Sequence, residues 1–329
     1  MSSEHPYDRL TPDVILSAVE QYDLICTGGL LALNSYENRV YRVETEQGPP
    51  VAVKFYRPDR WTDEAIGEEH QFALELAEQE IPVVAPMLSP TGKALSYYQD
   101  FRYTLFPWQP GRTPELNLDE DRRLLGRFLG RLHRLAASAH FRHRPVLSLE
   151  IYGTQAVKFL LENDFIPDYL VSSYTAISEQ ILQKLEDRLA SMATFTNIRL
   201  HGDFHLGNLL WTETGPHFVD LDDCMTGPAI QDLWLLLSGD QAEMQQQLQP
   251  LLEGYTQFSD FDPAQLALVE PLRSLRLLHY SAWLARRWSD PAFPRNFPWF
   301  NTIRYWEEQI LTLREQLALL DAPPLQWHP

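Results

Sequence analysis

The 329-residue sequence predicts an α+β protein of two lobes, a small antiparallel β-sheet lobe with one main helix followed by a larger, mostly helical lobe. Three observations carry that prediction. Short strand-like runs crowd the first third of the chain, and apolar stripes of helical period fill most of the remainder. Between them lies Phe106-Pro107-Trp108-Gln109-Pro110-Gly111-Arg112, where two prolines and a glycine within seven residues read as a connector. The expected organisation is a first lobe over 1–106, a hinge over 107–112 and a second lobe over 113–329.

Each element has its own justification. Thr11-Pro12 opens a helix reaching about residue 22, with an N-cap residue followed by proline at the first helical position. Strand-like runs at 39–43 and 51–56 are joined by the turn-forming Gln47-Gly48-Pro49-Pro50. The helix expected over 62–79 carries acids in its first turn, and two more strands follow at 94–98 and 102–106. Past the connector, Asn117 with Glu120 predicts a capping box, and Leu124, Leu125, Phe128, Leu132 and Leu135 form an apolar stripe. Further helices are expected near 174–192, 229–257, 263–288 and 302–320. Inside this helical region, 209–211 and 217–219 flank Thr212-Glu213-Thr214-Gly215 as a hairpin.

Bulk composition excludes several classes. A hydrophobic content of 44% and a charged content of 22% are those of an ordinary globular chain. The formal charge of −18 disfavours nonspecific contact with nucleic acid or an anionic membrane surface, so neither is an expected partner. Two distant cysteines, Cys26 and Cys224, argue against a disulfide framework and fit a reducing compartment. No apolar run approaches a membrane span, and the first residues carry neither a signal-peptide pattern nor a myristoylation glycine. The cytoplasm is the expected location.

The chemistry concentrates in His201-Gly202-Asp203-Phe204-His205-Leu206-Gly207-Asn208 and, twelve residues on, Asp220-Leu221-Asp222-Asp223. A carboxylate, an Asn five residues later and a second carboxylate around one hairpin suit phosphoryl transfer from a metal-bound nucleotide. One carboxylate takes or orients an acceptor hydroxyl, while the Asn oxygen and the other carboxylate hold the metal. Taken singly, Asp203 or Asn208 reads equally as a turn former; the combination is what points to catalysis. Asp220 directly follows the apolar Phe218-Val219 and is the expected metal ligand, with Asp222 on the same alternation face and Asp223 expected in solvent. His201 and His205 are spaced like a zinc pair, but Gly202 and Gly207 break the helix such a pair needs.

A second group of residues lies upstream. Lys54 is a cation in the otherwise apolar Val51-Ala52-Val53-Lys54-Phe55, and Glu69 falls near the centre of the stripe formed by Ile66, Phe72, Ala73 and Leu76. A carboxylate there requires a buried cation, and Lys54 is the natural partner; Glu68 points off that face. An edge-strand lysine that blunts aggregation is the plainer alternative. No glycine-rich phosphate loop is present. Asn34-Ser35-Tyr36-Glu37-Asn38-Arg39 precedes the first expected strand and offers a hydroxyl and turn amides in its place, although a simple Asx-type turn reads equally well. Asp232 is expected to accept hydrogen bonds from the 201–208 loop.

These stretches resemble the aminoglycoside-phosphotransferase-like (choline kinase-like) group, and within it the bacterial Ser/Thr protein kinases of stress responses. The resemblance rests on 33–41, on Val53-Lys54-Phe55-Tyr56-Arg57-Pro58, on Glu68 to Leu74, on the 201–223 stretch, on Gly227-Pro228 through Trp234, and on the late Asp290-Pro291-Ala292-Phe293-Pro294-Arg295-Asn296-Phe297-Pro298-Trp299. It implies a bilobal protein kinase-like fold with a nucleotide-binding first lobe, and ATP and Mg²⁺ as cofactors. It implies Asp203 as proton acceptor, Asn208 and Asp220 as Mg²⁺ ligands, and Asp220 as a participant in catalysis. Lys54 with Glu69 then hold nucleotide phosphates, and Ser35, Tyr36, Glu37 and Asn38 stand in for the glycine-rich loop. A protein Ser/Thr substrate and a monomeric cytoplasmic enzyme are further implications. The alternatives are a small-molecule kinase on the same scaffold, for which the acidic surface suits a cationic acceptor, and a nucleotide-binding pseudokinase scaffold.

Overall fold

The structure, a computed structural model, describes residues 6–190 and 195–328. An antiparallel sheet of five strands occupies the first third: β1 (Cys26–Ala32), β2 (Arg39–Thr45), β3 (Val51–Phe55), β4 (Ser96–Tyr98) and β5 (Phe101–Pro107), in the order β1-β2-β3-β5-β4. The sequence predicts four of these. β1 escapes prediction because Gly28 sits at φ +88° inside it and the register with β2 shifts between Cys26 and Leu30. Such a bulge hides the two-residue alternation by which strands are recognised.

Two helices accompany the sheet. Thr11 caps α1 (Pro12–Glu20), and Ile15, Ala18 and Val19 of that helix pack with Val43, Val53, Phe55, Tyr103 and Leu105 into the sheet's own core. Thr62 caps α2 (Asp63–Glu78) through the Ala65 amide. The apolar face of α2 does not serve that small core. Phe72, Ala73 and Leu76 belong instead to the large cluster of the helical region. The Val84 amide also donates to the Phe218 carbonyl, so the segment after α2 is stitched to the hairpin of the second lobe.

The helical region contains α3 (Asp119–Ala136), α4 (Gln155–Glu162), α5 (Asp168–Leu189), α6 (Ile230–Trp234), α7 (Gln241–Tyr255), α8 (Val269–Arg286), α9 (Ala292–Asn296) and α10 (Ile303–Leu319). Residues 191 and 192 of the helix expected near 174–192 lie outside the described residues. The capping box expected at the start of α3 does not form. The N-cap residue is Leu118, with no side-chain cap, and the Asn117 amide donates to Glu115. The single helix expected over 229–257 is two, because Gly239 at φ +89° turns the chain and Asp240 with Glu243 builds a capping box that starts α7. Residues 263–268 form a 3₁₀ turn that leads into α8.

Two short ladders cross the helical region and carry the motif residues. β6 (Ile198–Leu200) pairs with β9 (Met225–Gly227), and β7 (Leu209–Thr212) pairs with β8 (Gly215–Phe218) as the expected hairpin. Among the described residues, no helix is long and apolar enough to cross a membrane.

Candidate functional site

On β3, Lys54 lies opposite Val40 of β2 and Thr104 of β5, and its side chain is almost fully buried. Its Nζ stands 3.3 Å from Glu69 Oε1, 3.3 Å from Asp220 Oδ1 and 3.0 Å from Asp222 Oδ1. Burial alone would lower the lysine's affinity for its proton, but Asp222, Glu69 and Asp220 outweigh it and hold the pKa well above its ordinary value. Burial pushes Glu69 up, against the pull of Lys54. The mid-stripe carboxylate on α2 therefore finds the cation that its position demands, and Glu68 points elsewhere, accepting from the Arg142, His143 and Arg144 amides.

The 201–223 stretch is held from below by one buried acid. Asp232 accepts from the His201 amide at 2.8 Å and the Gly202 amide at 2.9 Å, and its carboxylate also meets His133 Nε2 at 3.1 Å. Gly202 adopts φ +87°, and a Cβ there would sit 2.1 Å from the Asp223 carbonyl oxygen, so only glycine fits between the histidine and Asp203. The His201 ring joins the Val219 carbonyl at 2.9 Å, and the Val219 amide donates to the Asn208 carbonyl at 3.1 Å. These bonds close the loop onto the foot of the β7–β8 hairpin. Asn208 Nδ2 donates to the Asp203 carbonyl at 2.9 Å, which leaves Oδ1 as its acceptor. His205 Nε2 lies 3.3 Å from Asp203 Oδ2.

Asp220 and Asp222 both reach Lys54, as a shared face predicts, but not through strand alternation. Asp220 takes the left-handed conformation, φ 62° and ψ 67°, and Leu221–Asp223 continues as a 3₁₀ turn. The Asp220 carboxylate is left 56% exposed toward the cleft, whereas that of Asp222 is 3% exposed, pinned between Lys54 and Arg60. Burial would raise Asp222, and Arg60 and Lys54 hold it well below the usual carboxylate range. Asp223, expected in solvent, is paired with Arg60 at 2.5 Å.

The segment preceding β2 is a closed turn. Ser35 Oγ donates to the Asn38 carbonyl at 3.1 Å, and Asn38 Oδ1 accepts from the Arg57 amide at 3.0 Å. Glu37 accepts from Trp283 Nε1 at 2.9 Å and pairs with Arg287, and the Tyr36 ring packs edge-on against Phe297 at 4.9 Å. Two segments of the helical lobe thus reach this loop.

Ser35, Tyr36, Glu37, Asn38, Lys54, Glu69, Asp203, Asn208 and Asp220 all line one cleft of about 1200 Å³. Among the described residues, no group of three or more His, Cys, Asp or Glu side chains is arranged around a metal position. Asn208 Oδ1 and the exposed Asp220 carboxylate are hard oxygen donors, and they fit an ion that completes its shell with phosphate oxygens and water. Sequence reasoning did not find Arg60, Arg144, Arg276 or Trp283. Arg276 Nη1 lies 2.8 Å from Asp203 Oδ1, and Arg144 Nη1 lies 4.0 Å from Glu69 Oε2. These arginines sit in ordinary helix or loop contexts, and the only available signal was the surplus of acids at the motif, which a buried site must neutralise.

The profile of the family described as "Phosphotransferase enzyme family" (APH) matches residues 30–269. The chain is 44% identical over 328 residues to stress response kinase A of Escherichia coli K12, covering 100% of this chain and 99% of that protein. It is 43% identical to the serine/threonine protein kinase RdoA of Salmonella typhimurium, covering 98% and 97%. Among solved structures, an amicoumacin kinase in complex with AMP-PNP, Ca²⁺ and Ami superposes with a TM-score of 0.74 at 20% identity, covering 98% and 96%. A microcompartment-associated aminopropanol kinase gives 0.70 at 19%, covering 94% and 97%. The last two likenesses establish the shared α+β kinase fold. With a family profile over more than half its length and relatives above 40% identity end to end, the chain belongs to the phosphotransferase enzyme family and is a phosphotransferase.

Proposed function

We propose that the protein transfers the γ-phosphoryl group of ATP to Ser and Thr hydroxyls of other proteins, as a cytoplasmic enzyme of a bacterial stress response. The observation that carries the reading is the meeting of Asp203, Asn208 and Asp220 with the Lys54–Glu69 pair in one cleft. The end-to-end identity to relatives named as stress response and Ser/Thr kinases supports the protein acceptor, and AMP-PNP with Ca²⁺ in the amicoumacin kinase supports a nucleotide with a divalent ion. The small-molecule kinases share the fold at 19–20% identity, which carries no acceptor with it.

Each residue then has a part. Lys54, held in place by Glu69, meets the nucleotide phosphates, and the turn from Ser35 to Asn38 covers them. Residues 107–112 act as the hinge between a nucleotide lobe and a catalytic lobe. Asn208 and Asp220 hold Mg²⁺, which when bound supplies positive charge against the phosphate oxygens. The acceptor oxygen forms a bond to the γ-phosphorus as the bond from phosphorus to the bridging oxygen of ADP breaks. The hydroxyl proton passes to the Asp203 carboxylate, which His205 and Arg276 orient.

The test is incubation of the protein with labelled ATP and Mg²⁺, with a generic protein substrate and separately with small alcohols. Label should appear on Ser and Thr and fall by about 10²–10⁴-fold in Asp203→Ala while nucleotide binding persists. Label on an alcohol and on no protein would overturn the protein acceptor; binding without turnover in the parent would overturn the enzyme.

A further inference from the structure

Resting on that reading, we propose that the wall of the cleft built by α8 selects Ser and Thr hydroxyls flanked by acidic residues and rejects cationic acceptors. α8 presents Arg276, Tyr280 and Trp283 at i, i+4 and i+7, one face of a helix turned to the cleft. Arg276 meets Asp203 directly, at 2.8 Å, and its side chain remains 45% exposed. An acceptor hydroxyl that approaches Asp203 therefore arrives beside a guanidinium. At the far end of the helix, Arg286 donates to the Gln155 carbonyl at 3.3 Å and lies over the Phe159 ring, with no carboxylate partner among the described residues.

The cleft's acids come from other segments, and two of them, Asp203 and Glu37, are bound by arginines of this wall. Glu37, Asp59, Glu69, Asp203, Asp220, Asp222 and Asp223 line it, while the positions contributed by 145–152 and 272–287 include no carboxylate. Glu37, Glu69, Asp222 and Asp223 are already engaged by arginine or lysine, and the Asp220 carboxylate faces the nucleotide side beside Lys54. The formal charge of −18 is thus a property of the whole surface, and the acceptor wall reverses it locally. A cationic acceptor would bring like charge to Arg276, and the one carboxylate beside it, Asp203, is already held by that guanidinium and by His205, which is rejection by repulsion. An acidic neighbour of the acceptor hydroxyl does the opposite. It draws the Arg276 guanidinium off Asp203 and frees a carboxylate oxygen for the hydroxyl proton.

Spacing adds a positional expectation. Arg276 and Arg286 are ten residues apart, about 15 Å along the helix axis. An extended peptide covers that distance in about four or five residues. An acid adjacent to the acceptor answers to Arg276, and a second acid four or five residues away answers to Arg286.

The experiment uses the full chain with ATP, Mg²⁺ and three sets of short Ser peptides that differ only in carrying Glu, Ala or Lys at the adjacent or the distant position, on either side. Transfer efficiency should rank Glu above Ala above Lys, with about tenfold or more between Glu and Lys at low salt and less at high salt. In Arg286→Gln the advantage of the distant Glu should shrink toward unity while that of the adjacent Glu persists. A parent enzyme that phosphorylates the three sets equally, or prefers Lys, overturns this inference and leaves the protein acceptor standing. Transfer to aminopropanol and to none of the peptides overturns both.

Discussion

At the scale of single residues, the site was readable wherever chemistry forces a pattern. A carboxylate in the middle of an apolar stripe has to be neutralised, which is why the sequence alone matches Glu69 to Lys54, and the two meet at 3.3 Å. Asp222 could not be read the same way. Its burial depends on the left-handed backbone of Asp220, and no local pattern announces a positive φ at an aspartate. His70 is another residue whose state depends on its surroundings. It is buried, with its Nε2 at 2.7 Å from the Tyr56 hydroxyl, and burial first, then the positive charges of Lys54 and Arg144, push its pKa down to about 3. The unfolded chain binds this proton near pH 6.5, well above the folded protein, so the contribution to stability is complete above about pH 6.5 and is lost as pH falls toward 3. Between those limits each unit of pH should cost about 1.4 kcal/mol from this one group. Replacement His70→Gln should flatten the dependence by about 2 kcal/mol between pH 6.5 and pH 5, read from urea unfolding at a series of pH values. Parallel pH curves for the two proteins would show that His70 is protonated in the fold.

At the scale of elements, long periodic segments and proline-marked helix starts were the most readable, and boundaries set by one backbone conformation were the least. Thr11 and Thr62 cap their helices as their positions suggest, because an N-cap needs only a side-chain oxygen and a free amide three residues on. The box expected from Asn117 and Glu120 fails because the asparagine turns back to Glu115. The apolar stripe expected on α3 is buried at Leu125 and Leu132 and half-buried at Leu124, Phe128 and Leu135; the buried face also takes in Leu129, Gly126 and Gly130, and the two glycines decide how close α7 can come. A Cβ at Gly126 would stand 2.1 Å from the Leu251 carbonyl oxygen, and one at Gly130 would stand 2.4 Å from that of Tyr255. Both obstacles are backbone, so neither can swing aside as a side-chain tip does. Gly126→Ala should therefore destabilise by about 1–3 kcal/mol even though alanine is the better helix former by about 1 kcal/mol. Guanidinium unfolding is the check. An unchanged or raised midpoint would mean that α3 and α7 separate without loss and that the close approach stabilises nothing.

At the scale of the whole molecule, composition and periodicity gave the two-part α+β architecture, and what they could not give is how the parts hold each other. That depends on contacts between residues up to 251 positions apart. Asp290, shortly after α8, is buried and accepts from Arg39 Nη2 of β2 at 3.1 Å and from Arg57 Nη1, two residues past β3, at 2.7 Å. Glu37 runs the other way, from the turn before β2 to Trp283 of α8 and Arg287 at its C-terminal cap. The late 290–299 stretch, through Asp290 and Phe297, and the end of α8, through Trp283 and Arg287, thus form a two-way clamp around the Ser35–Asn38 turn. Glu37, Arg57, Trp283, Arg287 and Phe297 all line the cleft, so the strength of the clamp bears on the cleft's wall as well as on stability. Removing Asp290 leaves two partly buried guanidinium groups without their shared acceptor, and breaking a buried pair in this way costs about 3–5 kcal/mol. Asp290→Ala should lower stability by about 3 kcal/mol, toward the lower end because Arg57 retains Glu37 nearby. It should also make the Ser35–Asn38 backbone amides exchange faster with solvent while those of α3 and α7 at the far side of the helical core change only with global stability. Hydrogen exchange resolved along the chain separates the two effects. Equal acceleration everywhere would mean that Asp290 supports the fold as a whole and clamps nothing in particular, whereas selective loosening of 35–38 identifies the late segment as the part that sets how tightly the cleft is covered.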